Sequence, residues 1–343
     1  MSSQRGRLAA GGLLALALLY FFFRGMDWEA LVSALRNAHA GRLLGVAGVT
    51  LLVYVARAWR WGYLLDPLGH VGFADLFSAT MVGFASGLLV PRAGELVRPY
   101  LVSRRHPIPT SAGFATIVLE RVVDLITVLV LFGLYLFVLP APPQQAQGPL
   151  LGLLKLSGIL TGAAVLVLLA ILWGFHVHAA RALALADRLL ARFPAWLARP
   201  LGSGLRAFSQ GLAVLQAPAL HLLAILGQSF LVWLLIAWSF HLNHQAFGIV
   251  LPFHATFLLV AFLVVGVAIP TPGTVGGFHY FYLLCLTQAY GVPKGTAAAA
   301  GIAAHALANL PLLAFGLVLM GREGLTLGKV AQMTDDEPQE VGT

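Results

Sequence analysis

Arg57, Arg60, Arg92, Glu95, Arg98, Glu120, Arg121 and Asp124 lie within or beside stretches otherwise built from Leu, Val, Ala and Phe. A charge at the centre of a membrane helix costs roughly 2.5–3.5 kcal/mol on insertion scales, so charges kept there hold one another or a ligand. Glu95 and Arg98 are three residues apart and Glu120 and Asp124 four apart, so each pair shares one face of a helix. Two carboxylates on one face need a cation between them, and Arg121, Arg92 or Arg98 could supply it. Arg92 and Arg98 are also suited to a ligand. The planar guanidinium fork matches phosphate bidentately, and the chain break around them creates a half-helix N-terminus whose N–H groups favour an anion. With Glu95, Arg57 and Arg60 beside them, they form a candidate binding site for an amphipathic lipid headgroup.

A second constellation carries no charge. Thr271, Gly273, Thr274, Gly276 and Gly277 offer backbone donors and small hydroxyls. They would let something pass closely, hold a headgroup by main chain, or form a tight turn that lets helices pack closely. His305 occupies, in the last apolar segment, about the place of Arg121 in the third. It reads as a satisfied intramembrane histidine or as a proton relay. His176/His178 and His241/His244 have tolerable ligand spacing, but no cysteine or carboxylate lies near either pair, so no metal site is expected. No nucleophile motif, phosphate-binding loop or dinucleotide fingerprint occurs, so neither a catalytic residue nor a cofactor is expected.

The elements that must position these residues follow from composition. Hydrophobic residues make up 59% of the 343-residue chain and charged residues 10%, with a mean hydropathy of +0.87. A water-facing surface cannot be covered by so few charges. The expected class is an all-α polytopic membrane protein. Six segments, near 8–23, 43–65, 113–139, 150–174, 218–242 and 297–320, approach or exceed the about 20 residues needed to span a bilayer. Arg5 and Arg7 before the first of them resemble a signal peptide, but no small-residue cleavage site follows, and the segment reads as a retained helix. The net charge of +8 suits cytoplasmic loops and anionic lipid rather than nucleic acid. Cys285 is the only cysteine, which excludes an intrachain disulfide.

Two further apolar stretches, 73–103 and 253–290, break in the middle, at Val90–Glu95 and at Ile269–Gly277. Proline ends a helix and glycine permits reversal, so each predicts a re-entrant helical hairpin. Irregular backbone at membrane depth survives only when buried in protein or lining a wet cavity. Aligning Pro91 with Pro270 brings Gly94 onto Gly273, and a span follows each hairpin after Pro109 or Pro293. The segments 43–139 and 218–320 therefore read as two repeats. Arg104, Arg105, Arg322, Lys329 and the arginines of 175–217 mark the cytoplasmic side by the positive-inside rule. Loops 140–149 and 243–252 carry no Lys, Arg, Asp or Glu and mark the outside. Both termini are then cytoplasmic, and the two hairpins enter from opposite sides as an inverted repeat. The segment 24–42, with Arg24, Arg36 and Arg42, is discordant because it falls outside. Residues 1–330 are expected to form one transmembrane domain, with 175–217 as interfacial helices and 331–343 as a disordered acidic tail. Paired, interrupted segments in two halves are the best sequence pointer to a transporter's substrate site.

Pro91–Arg98 (PRAGELVR), Glu120–Asp124 (ERVVD) and Ile269–Gly277 (IPTPGTVGG), in that order, resemble the lysylphosphatidylglycerol synthase transmembrane-region family, also called UPF0104, over roughly residues 8–320. The resemblance implies a lipid flippase module that moves aminoacylated phosphatidylglycerol between leaflets. The soluble aminoacyl-transfer domain of the best-known members has no counterpart here, so lipid synthesis by this polypeptide alone is not expected. The leading expectation is a lipid translocase of the cell (inner) membrane for an anionic or glycosylated lipid, phospholipid or polyprenyl-linked. A membrane-embedded enzyme using Glu95, Glu120 or Asp124 as acid–base groups is one alternative. A non-transporting partner of an envelope glycosyltransferase or synthase is another.

Overall fold

The computed structural model describes residues 2–90, 93–139, 212–269 and 271–335, with isolated positions between 152 and 209. The expected span 150–174 and interfacial segment 175–217 fall mostly outside the described residues, as do Arg92, Pro91 and Pro270. Among the described residues the regular structure is helical, without strands. The helices are α1 (Ser2–Phe23), α2 (Trp28–Arg36), α3 (Ala40–Leu65), α4 (Phe73–Leu89), α5 (Ala93–Ser103), α6 (Thr110–Phe137), α7 (Ala219–Ala246), α8 (Ala255–Ala268), α9 (Gly277–Leu284), α10 (Lys294–Arg322) and α11 (Leu327–Asp335). A 3₁₀ turn, Pro272–Thr274, joins α8 to α9, and one π-helical turn, Cys285–Ala289, prolongs α9. Helix α11 runs past residue 330, into the segment expected to be disordered.

Among the described residues three helices are long and apolar enough to cross a membrane: α3 with the short turn after it, α7 and α10. Helix α6 matches them in length at 28 residues, but every long window of it contains Glu120, Arg121 and Asp124. Local chemistry sets the element ends. Pro109, Pro218 and Pro293 immediately precede α6, α7 and α10, where a residue without an N–H interrupts nothing. Asp27 caps α2, its carboxylate accepting the Ala30 N–H at 2.9 Å.

Two quartets of helices share a length pattern of long, short, short, long: α3–α6 and α7–α10. Their contacts also correspond. Helix α4 folds back on α5, and α8 on α9. Helix α4 packs on α10 of the other quartet, and α8 packs on α6. Among the described helices, the long α3 and α7 make the most extensive contact. Glycine sets each fold-back. A β-carbon on Gly94 would strike the Gly83 carbonyl, and one on Gly266 would come within 2.8 Å of the Gly277 carbonyl oxygen. Within each hairpin the two glycines are eleven residues apart. The packing therefore places Gly94 opposite Gly277 in the comparison of quartets, rather than Gly273 as the proline alignment gave. Helix α1 stands outside the quartets and packs along α9, with Gly276 against Ala15.

At one end of the bundle, polar groups tie hairpin α4–α5 to the end of α10. Glu323 accepts hydrogen bonds from Ser78 at 2.8 Å and Arg105 at 3.0 Å, while Asp75 pairs with Arg105 and with His106 at 3.0 Å. The Arg105 side chain is 48% exposed, and exposed pairs contribute little. Asp75→Asn is expected to cost less than about 1 kcal/mol, read as a small shift in melting temperature of the detergent-solubilised protein. A loss as large as that expected for Glu120, discussed below, would contradict this ranking.

Candidate functional site

The charged residues converge where α3, α5, α6 and α7 meet. Arg98 of α5 grips Glu120 of α6 with both arms of its guanidinium, Nη1 to Oε1 at 3.1 Å and Nη2 to Oε2 at 3.0 Å. Its carbon lies 4.3 Å from the centre of the Trp61 ring, and the Trp61 indole N–H donates to Thr116 at 3.0 Å. Arg98 is thus fixed from both sides, by a carboxylate and by an aromatic face.

Among the described residues the cation that bridges the two carboxylates most closely is Arg60, from α3, rather than Arg121 or Arg98. Its Nη1 donates to Asp124 Oδ1 at 2.6 Å and to Ser229 at 2.7 Å, and its Nη2 stands 3.4 Å from Glu120. Trp233 of α7 donates a further hydrogen bond to Asp124 at 2.9 Å. Arg57, one helical turn before Arg60, has longer ion pairs to Asp124 (3.5 Å) and Glu120 (3.9 Å). Arg60 and Glu120 are fully buried, and Arg98, Asp124 and Arg57 are at most 8% exposed. Three guanidinium cations therefore face two carboxylates in the buried set, leaving one positive charge in excess. Arg121 and Glu95 form a looser pair at 3.5 Å with both side chains about two-fifths exposed, and Arg121 also reaches Asp124 at 3.8 Å.

Beside this cluster lies a cavity of about 380 Å³, lined by both hairpins. Gly83, Phe84, Gly94, Glu95 and Arg98 come from the first. Thr274 and Phe278 come from the second, with Arg121 of α6 and Asn309 of α10 completing the wall. The hairpin tips also touch, Gly273 facing Leu88. Of the second constellation, Thr274 alone lines the cavity. Gly273 makes the turn (φ 62°), Gly276 (φ 89°) admits α1, and Gly277 is spent on the contact with Gly266. Thr271 is buried, and its hydroxyl finds no hydrogen-bond partner in the protein.

Thr274 is the one non-glycine described residue with positive φ, at 56°. A β-branched residue in that region stores about 1–3 kcal/mol of strain, which the surroundings must over-determine. His305 supplies the constraint. Its Nε2 lies 2.9 Å from the Gly273 carbonyl oxygen and 3.3 Å from Thr274 Oγ1. His279 packs against it with ring centres 4.5 Å apart.

The two quartets differ in this chemistry. At the α3–α5–α6 junction stand Arg60, Arg98 and Glu120. At the matching α7–α9–α10 junction, Asn243 donates to the Tyr282 hydroxyl and to the Ala300 carbonyl, both at 2.9 Å. One half is ionic and the other neutral. Sequence reasoning missed Trp61, Ser229, Trp233 and His279. Ser229 and Trp233, four apart on α7, carry no signal beyond an ordinary amphipathic pair; Trp61 could have been found as the aromatic next to Arg60. Among the described residues no cluster of metal-ligating side chains occurs.

A family model described as the lysylphosphatidylglycerol synthase TM region matches residues 8–316. The chain is 32% identical over 143 residues to the glycosyltransferase AglD of Haloferax volcanii, covering 40% of this chain and 23% of that protein. It is 29% identical over 116 residues to the UPF0104 membrane protein MJ1595 of Methanocaldococcus jannaschii, a third of each chain. The matched portions thus span about a quarter and a third of these relatives. With its apolar helices and a family match from α1 to the last turns of α10, this chain is an integral membrane protein that belongs to the lysylphosphatidylglycerol synthase transmembrane-region family.

Proposed function

We propose that the protein is a lipid translocase in which α4–α5 and α8–α9 act as re-entrant hairpins of an inverted repeat, with both termini cytoplasmic. A lipid headgroup passes through the cavity between the hairpin tips. The observation that carries this reading is the cavity itself: both hairpins line it, and it borders a buried cluster with one positive charge in excess. An anionic headgroup supplies the missing negative charge, while its acyl chains stay in the bilayer. Correspondence of the two quartets supports the inverted repeat, since such repeats carry their substrate sites at the repeat interface. Among described residues, the arginine fitted to take the phosphate is Arg121. It lines the cavity, is partly exposed and has only long ion pairs, whereas the fork of Arg98 is filled by Glu120. Glu120 and Asp124, each engaged by arginine, are poorly disposed to act as acid–base groups, which favours translocation over an embedded enzyme.

The likeness to AglD favours a second reading of the cargo and partner: a polyprenyl-linked glycolipid, handled alongside a glycosyltransferase of the cell envelope. Proteoliposomes carrying fluorescent phosphatidylglycerol or a fluorescent polyprenyl-phosphate sugar test both. Leaflet exchange is read by quenching from outside. Arg121→Ala is expected to slow exchange of the preferred probe about tenfold, the loss of one charge-assisted hydrogen bond, with Arg121→Lys intermediate because it lacks the fork. Folding should survive, because the Glu95 pair is exposed. Wild-type protein that exchanges neither probe faster than empty vesicles would sink the proposal.

A further inference from the structure

We propose that His305, backed by His279, is the proton-binding element of the second hairpin, and that an anionic headgroup in the cavity and a proton on this pair bind cooperatively. The inference rests on the translocase reading for its cargo and on separate geometry for its proton. The Gly273 carbonyl can only accept, so the 2.9 Å contact requires a hydrogen on His305 Nε2. Thr274 already donates its own hydroxyl to the same carbonyl at 2.7 Å. The turn that faces the first hairpin is therefore clamped by a proton held on His305. A neutral ring with its hydrogen on Nδ1 would set two lone pairs against each other and release the strained Thr274. An imidazolium keeps the Nε2 hydrogen and strengthens the bond by adding charge to the donor.

His279 supplies the place for the second half of the device. Its ring lies 4.5 Å from that of His305, and its Nδ1 is buried without a hydrogen-bond partner. Two cations at that separation repel, so the pair carries one added proton. Among the described residues the pair has no fixed counter-charge. Helix α1 brings Phe22 to His279, α9 brings Phe278 to both rings, and α4 brings Leu88 to the turn. Tyr280 and Tyr282 on α9 and His244 on α7 are further titratable groups of the packed elements, and Tyr282 is engaged with Asn243. The charged groups sharing the cavity are Glu95, Arg98 and Arg121, all on its other wall. His305 stands on α10 one turn from Ala308 and Asn309, which line that cavity. An anion there stabilises the imidazolium, and by linkage the imidazolium stabilises the anion. Binding takes up a proton, and the same proton tightens the turn over the site.

The test uses the full chain and two readouts, neither of which requires transport. His305→Gln retains an N–H donor for Gly273 but cannot titrate. In hydrogen exchange of the peptide covering 271–276, the ratio of the His305→Gln rate to the wild-type rate cancels intrinsic pH effects. That ratio is expected to rise about fivefold from pH 8 to pH 5, as the wild-type clamp becomes charge-assisted. In weakly buffered micelles, adding phosphatidylglycerol is expected to cause proton uptake by wild type, phosphatidylcholine none, and the His279→Gln/His305→Gln double variant none with either lipid. A pH-independent exchange ratio, or equal uptake by wild type and double variant, overturns the proposal. Exchange and uptake as expected, with no lipid movement in proteoliposomes, would sustain the proton site and overturn the translocase reading. Lipid movement with a flat exchange ratio would do the reverse.

Discussion

A Glu120→Ala variant is expected to lose about 3–5 kcal/mol of stability, because it strands Arg98 in a buried site and leaves Arg60 with Asp124 as its one carboxylate partner. The loss is larger than a single hydrogen bond because both arms of the Arg98 fork lose their acceptor together and Arg60 loses an ion pair at 3.4 Å. It should appear as a melting temperature far below wild type, or as failure to purify as a monodisperse species. Arg98→Met combined with Glu120→Leu is expected to recover part of it, since paired removal leaves no orphaned charge from that couple and fills similar volume. If Glu120→Ala melts as wild type does, water reaches the cluster and the buried-charge argument fails.

Gly94→Ala is expected to cost about 1–3 kcal/mol, and Gly94→Val more, because the added carbon meets the Gly83 carbonyl rather than a side chain that can swing away. The α4–α5 hairpin would have to splay, carrying Arg98 away from Glu120. Gly277→Ala should do the same to α8–α9 through the Gly266 carbonyl. Gly48 of α3 is the control, since nothing lies within 4 Å of the added methyl. Gly48→Ala is expected to be neutral or to gain up to about 1 kcal/mol from helix propensity. Melting temperatures of the four variants check the order, and a Gly94→Ala protein as stable as Gly48→Ala would contradict the close-packed hairpin.

The ionic half and the neutral half assign different work to the two hairpins. The first is pinned at Arg98, through Glu120 to Arg60, and its displacement breaks several buried bonds at once. The second is held at its turn by one histidine and a strained threonine.

The sequence by itself determined what depends on local chemistry. Runs of Leu, Val and Ala specify apolar helices, and Pro109, Pro218 and Pro293 mark where three of them begin. The breaks at Val90–Glu95 and Ile269–Gly277 mark the two reversals, because a missing N–H or a missing β-carbon acts on its immediate neighbours wherever the chain goes. The conclusion that Glu120 and Asp124 need a cation was equally legible, since two like charges one turn apart repel in any surroundings. Which cation meets them was not. Arg60 lies 64 residues from Asp124 along the chain, and its arrival depends on how α3 rotates against α6 and α7. Arg98, three residues from Glu95, turns instead into the interior toward Glu120. The match between halves was read from Pro91 and Pro270, which end helices, while the packing is set by Gly94 and Gly277, which let backbones touch. Helix breaks are written one residue at a time, but ion pairs and backbone contacts belong to two elements at once, so only the tertiary structure decided them.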